Sequence, residues 1–225
     1  MDPIKIAEHV SQSDALQGLS PPVQTALFLG ALTLLPAALV SLTAFTRIVI
    51  VLGFVRRAVT TQEIPPNLVI TGLSLFLTFF VMGPTIDQIG TQAVEPYMDG
   101  KINGVTAVCR GVEPLQRFML HQTRRNDLAL FLHLAKVDPP AESKDVPMRV
   151  LIPAFVISEL KTAFIMGFCI YLPFLLVDLV VASVLTALGI ITMPPVIISA
   201  PFKILLFVLA DGWHLVVRAL ALSFQ

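Results

Sequence analysis

The residues with the chemistry to make a catalytic or metal site are few, and their spacing argues against one. His9, His121, His133 and His214 include no pair three or four residues apart, the separation that puts two imidazoles on one helical face. Gly72-Leu73-Ser74 resembles the start of an intramembrane serine protease elbow, but Phe76 stands where the second glycine belongs. Only His214 lies in an apolar stretch to serve such a serine as base. No glycine loop able to cradle a phosphate occurs. Cys109 sits in a polar setting and Cys169 in a deeply apolar one, so both are expected to stay unpaired. The reading is of a chain with no catalytic residue, no metal and no cofactor.

What remains unusual is a set of charges in apolar surroundings: Glu159, Lys161, Asp178 and Lys203. An ionised group at the centre of a spanning helix costs about 2.5 to 3.5 kcal/mol, against about 0.3 to 0.6 gained per Leu, Ile, Phe or Val. Residues 162–185 hold fourteen such apolar side chains and the single charge Asp178, so that stretch still inserts. Adding Glu159 and Lys161 removes most of the margin. Such charges face a protein interior or a water-filled cavity and pair with one another. Three readings fit: snorkelling at helix ends, an ion relay through Glu159, Asp178 and Lys203, or pairing between subunits. The pairing expected here is Glu159 with Lys203 across a subunit boundary.

The elements that must carry these charges follow from composition. Of 225 residues 56% are hydrophobic and 13% charged, and mean hydropathy is +0.84. Soluble domains carry about 25% charge, so this chain must hide apolar surface in lipid, in partners or in copies of itself. Fifteen basic and fifteen acidic residues cancel, so the charge balance points to no nucleic-acid partner. Four apolar blocks appear, at residues 23–55, 68–82, 150–188 and 201–222. The second is short of the roughly 20 residues that a spanning helix needs. Residues 87–149 differ, with eight basic and eight acidic side chains. In that stretch Leu115, Phe118 and Met119, then Leu128, Phe131 and Leu132, recur at helical spacing. Thr123 or Asn126 is the expected cap of the second helix.

The organisation read from this is a polar segment 1–22, a first apolar helical pair 23–86, a small water-facing helical domain 87–149, and a second apolar pair 150–225. Residues 1–20 have no basic run before an apolar one, so the numbered chain is expected to start after a removed leader, or to use its first apolar block as the insertion signal. Arg56 and Arg57 place the loop after the first block in the cytoplasm, which puts 87–149 on the extracytoplasmic side.

Several strings in order resemble one family. They are FTRIVIVLGFVR (45–56), PPN (65–67), GLSLFLTFFVMGP (72–84), FMLHQTRRNDLALF (118–131), ISELKTAF (157–164), FLLVDLVVASVL (174–185) and PFKILLFVLADGW (201–213). Together they are similar to the FliP family of flagellar type III export-gate proteins, and more distantly to its injectisome counterparts. The resemblance implies an all-α membrane protein whose apolar blocks form tilted helical hairpins in the bacterial inner membrane, at the flagellar basal body. It further implies a homopentameric ring that assembles with FliQ- and FliR-like membrane proteins, contacts lipid and passes unfolded export substrates. A methionine-rich loop closes the pore in that family. The matching stretch is 189–195, where Ile190, Ile191, Thr192 and Met193 are the candidate pore-closing residues and Met193 is the lone methionine.

Overall fold

Proline and glycine divide the apolar sequence into helices of very unequal length. The computed structural model describes residues 20–59, 65–137, 146–190 and 192–224, and among them finds helices and turns and no strand. Helix α1, Pro21–Leu42, opens with proline at its first position, where the missing N–H costs nothing. Helix α2, Phe45–Ala58, carries Arg56 and Arg57 in its last turn, where cations offset the helix dipole. The first apolar block is therefore two helices, broken at residues 43–44.

Helix α3, Asn67–Ile89, continues through a five-residue π-helical turn, Gly90–Val94, into α4, Glu95–Met98. The second apolar block is thus not short: the helical run covers 32 residues, because Asp87 and Glu95 extend the helix rather than end it. The side chain of Asn103 then accepts the Thr106 N–H at 2.8 Å and starts α5, Gly104–Gln122.

Helix α6, Arg125–Leu134, has Arg124 at its N-cap, not Thr123 or Asn126. Thr123 is engaged elsewhere, its hydroxyl donating to the Met119 carbonyl at 2.6 Å. The Arg124 N–H is satisfied from outside the helix, by Ser158 Oγ at 2.9 Å.

Helix α7, Met148–Ala187, is 40 residues long, or about 60 Å at 1.5 Å per residue. That is about twice the hydrocarbon thickness of a bilayer. Helices α8, Pro195–Leu209, and α9, Gly212–Leu222, meet at a 63° bend. Asp211 there is left-handed (φ 50°), a conformation that a short polar side chain tolerates. The fourth apolar block is therefore a bent pair. Two helical runs among the described residues, Asn67–Met98 and Met148–Ala187, are long and apolar enough to cross a membrane, and the bent pair makes a third if it counts as one span.

Helix α2 is the centre of the packing. It packs against both α3 and α7, and α8 packs on α7. Ile48, Val51, Leu52, Val55 and Ala58 are fully or almost fully buried there. Helix α3 turns Ile70, Ser74, Thr78 and Met82 inward, every fourth residue, as one ridge. A second cluster of Met119, Val146, Leu151 and Phe155 joins α5 to the first half of α7. Helices α5 and α6 thus pack on the membrane helix α7.

Gly167 sets the closest approach of α2 to α7. A Cβ there would lie 2.4 Å from Cδ2 of Phe54 and 3.0 Å from its Cβ, so turning the ring does not make room. Gly167→Ala is expected to destabilise the fold by about 1 to 3 kcal/mol, read as a lower unfolding midpoint in detergent. Phe54→Ala in the same chain is expected to return part of the loss. An unchanged midpoint for Gly167→Ala would show that the two helices are not held at this distance.

Candidate functional site: a buried charge junction and a hairpin turn

Arg47 lies in the first turn of the apolar helix α2, 2% exposed, facing Glu159 of α7, 0% exposed. Its Nε donates to Glu159 Oε2 at 2.9 Å, and Nη2 donates to Oε1, making a two-pronged pair. Nη2 also donates to Gln122 Oε1 at 3.1 Å. Nη1 donates to the Ser223 carbonyl at 2.7 Å and to its hydroxyl at 3.0 Å. A guanidinium has five N–H donors, and these five bonds use the full set. The Phe224 ring stacks 3.9 Å from the guanidinium carbon, and Gln122 Nε2 holds the Phe224 carbonyl at 3.0 Å. Four helices, α2, α5, α7 and α9, therefore meet at one charge.

The second site lies further along α7. Lys203 of α8, 1% exposed, donates to Asp178 Oδ2 at 2.5 Å. Ser199, fully buried, donates to Asp178 Oδ1 at 2.5 Å. Within one chain each of the two charges has another partner, Glu159 in Arg47 and Lys203 in Asp178. Glu159 and Asp178 lie nineteen residues apart on one helix, about 28 Å. That separation breaks the relay proposed through Glu159, Asp178 and Lys203. Lys161 is exposed on α7.

Between α7 and α8 the chain reverses in a tight turn. The Gly189 N–H bonds the Thr186 carbonyl at 3.0 Å and the Ile190 N–H bonds the Leu185 carbonyl at 3.0 Å. With Gly189 left-handed (φ 73°) this is a Schellman termination, which favours glycine at that position. Pro195 then starts α8. Ile190 is 39% exposed, Met193 48%, and Thr192 is exposed as well. Ile191 lies outside the described residues. Beside the turn, Val180, Val184, Ile198, Phe202 and Leu206 line an open apolar groove of about 690 Å³.

Ser74, the one serine in an elbow-like string, is fully buried and its hydroxyl donates to the Ile70 carbonyl of its own helix at 2.7 Å. No three His, Cys, Asp or Glu side chains come together among the described residues. Cys109 and Cys169 are free thiols.

Long apolar helices, charges neutralised in pairs inside them and apolar faces turned outward define a helical membrane protein that packs against other surfaces. Comparison with known proteins makes the assignment specific. Residues 28–220 match the FliP family. The chain is 52% identical to the flagellar biosynthetic protein FliP of Bacillus subtilis (strain 168) over 216 residues, covering 96% of this chain and 98% of that protein. It is 54% identical to that of Pectobacterium carotovorum subsp. carotovorum over 202 residues, 90% of this chain and 78% of the relative. Against FliP of Buchnera aphidicola subsp. Acyrthosiphon pisum (strain APS), 53% identity extends over 94% of this chain but 56% of that longer protein. The chain belongs to the FliP family: it is a non-enzymatic membrane component of the flagellar export apparatus.

Removing one partner of a buried pair strands the other charge and costs about 3 to 5 kcal/mol. Arg47→Ala is expected to lose that much, and Arg47→Lys most of it, because an ammonium has three donors for the five bonds. Arg47→Met with Glu159→Met removes both charges and is expected to fold again. The unfolding midpoint of the detergent-extracted protein is the readout, and equal midpoints for Arg47→Ala and the unaltered chain would refute the assignment.

Proposed function

We propose that five copies of this chain form a ring which, with FliQ- and FliR-like membrane proteins, is the gate through which unfolded flagellar proteins leave the cytoplasm. The observation that carries this reading is the α7–α8 hairpin. Its charges are neutralised internally at Asp178 and Lys203, its flanks are apolar, and it ends in a tight turn presenting Ile190, Thr192 and Met193. Repeated around an axis, such turns converge into an apolar constriction. Water leaves a narrow apolar ring and an ion cannot cross without water, so the ring seals the idle pore. Branched Ile190 and Ile191 make a stiffer seal than methionines would.

Ion conductance through the reconstituted gate tests the seal. Ile190→Ala with Ile191→Ala is expected to raise conductance, and replacement of both by Met to leave it low. Equal low conductance for the alanine pair would make 189–195 an ordinary turn and move the seal elsewhere.

The proposed orientation places 87–149 outside the cytoplasm, supported by the basic pair Arg56 and Arg57 after α2. Cys109 is exposed on α5 and reports it directly. A membrane-impermeant maleimide is expected to label Cys109 from the extracytoplasmic side in intact inner membranes. Labelling from the cytoplasmic side alone would invert the topology.

A further inference from the structure

The apolar hairpin that carries the turn is joined to the rest of the protein along one line. Phe54 of α2 lies against Phe164 and Gly167 of α7, and Arg47 against Glu159. Helix α2 therefore runs parallel to α7 and ends level with about residues 168–171. Helix α3 begins near the same level, since Asn67 bonds Arg56. Eight of the ten buried residues of α7 precede Pro173, and beyond it only Phe174 and Leu185 are buried. From there on Leu175, Leu176, Leu179 and Val180 are exposed, and α8 is the helix that runs alongside.

Both strands of the hairpin are weak at that line. Pro173 has no N–H to give the Cys169 carbonyl, so α7 lacks one of its own hydrogen bonds there. Asp178 meets Lys203 and Phe174 meets Phe207, an antiparallel register that sets the α8–α9 break at 210–211 opposite residues 170–171. At that break the chain bends by 63° through the left-handed Asp211. Two other prolines inside these helices are braced. Pro153 lies among Leu151, Ala154 and Phe155, all buried. Pro201 is straddled by Ser199 and Lys203, which both bond the one carboxylate of Asp178. Around Pro173, by contrast, Leu172, Pro173 itself and Leu175 are exposed.

One aromatic contact holds the line in place. The ring of Phe207 stands against the backbone of Gly212, where a Cβ would come within 2.7 Å of three ring carbons. Phe174 lies 6.2 Å from that ring on the α7 side, and Trp213 lies 5.4 Å from it, edge-on, on the α9 side. Phe207 thus ties both strands of the hairpin to α9, and Ser223 ties the end of α9 to Arg47. From Pro173 to Ile190 is seventeen residues, about 25 Å of helix. Turning this arm by about 20°, the least that a sharp proline kink does, moves its tip by about 9 Å. Directed outwards in a ring, that widens the opening by about 18 Å, more than the roughly 10 to 12 Å width of a helix with its side chains.

We propose that the α7–α8 hairpin opens the gate as one arm, swinging about Pro173 and residues 210–212, and that Phe207 seated on Gly212 is the latch of the closed position. This inference rests on the gate reading above and adds the movement that opens it. The test uses the chain co-expressed with its FliQ- and FliR-like partners. Its readouts are idle ion conductance of the reconstituted gate, export into inverted membrane vesicles, and ring mass by native mass spectrometry. Pro173→Ala supplies the missing N–H and is expected to keep idle conductance low while export is lost. Gly212→Ala unseats Phe207 and is expected to raise idle conductance at unchanged ring mass. Adding Phe207→Ala removes the clash, so the unfolding midpoint is expected to recover while the leak persists, a split that a packing role alone does not give. In a chain with Cys109→Ser and Cys169→Ser, Phe207→Cys and Trp213→Cys joined by a reducible bis-maleimide are expected to stop export, and reductant to restore it. Export at the unaltered rate through both Pro173→Ala and the cross-linked arm would overturn the hinge and leave the gate standing. A leak that disappears together with the midpoint loss would overturn the latch. A chain that is monomeric even unaltered would overturn both the hinge and the gate.

Discussion

A guanidinium without water must find a hydrogen-bond acceptor for every N–H, and much of this fold follows from that demand at Arg47. The carboxylate of Glu159 supplies charge balance and two of the five acceptors; Gln122 and Ser223 supply the others. Each acceptor comes from a different part of the chain, separated from Arg47 by 75 to 176 residues. Hydrophobic contact is non-directional, and α2 has apolar residues all along the faces it turns to α3 and α7. The polar junction fixes how far each helix slides along its neighbours. The second pair does the same for the hairpin, setting α8 against α7 at Asp178.

These two pairs leave α7 in an unusual state. Its first half is wrapped by α2, α5 and α6, while the most apolar window of the helix is only 11% buried. Internal neutralisation makes that bare surface compatible with lipid or with another subunit, since an uncompensated Asp178 or Lys203 would be costly in either. Length adds a further constraint. A helix twice as long as the hydrocarbon is thick cannot lie along the membrane normal with all its apolar surface in lipid. Tilt or protein cover must take up the rest.

The helical character, the apolar blocks and the inward residues Met119 and Leu132 were legible in the sequence, because each depends on local periodicity. The family was legible too, from strings that run almost the length of the chain. Helix boundaries were less so. The apolar run stops at residue 82 and Asp87 opens the charged stretch, yet a helix extends through polar residues wherever backbone bonding continues. The charge partners were the hardest. Arg47 was visible as an oddity in an apolar block, and tallying acids against bases in the blocks would have made it a candidate for Glu159. Nothing local points to Gln122 or to the Ser223 carbonyl, since a backbone acceptor carries no sequence signature and is brought there by tertiary packing.

The junction also has a place in time. Ser223 is 176 residues downstream of Arg47, and chains grow at about 5 to 20 residues per second. Arg47 therefore exists for about 10 to 35 seconds before its last acceptor has been made. Glu159 arrives 112 residues after Arg47, so the charge is balanced well before the donors on Nη1 are filled. During synthesis α2 is a short apolar helix with an incompletely satisfied cation in its first turn, and its settled position waits on residues made 176 positions later.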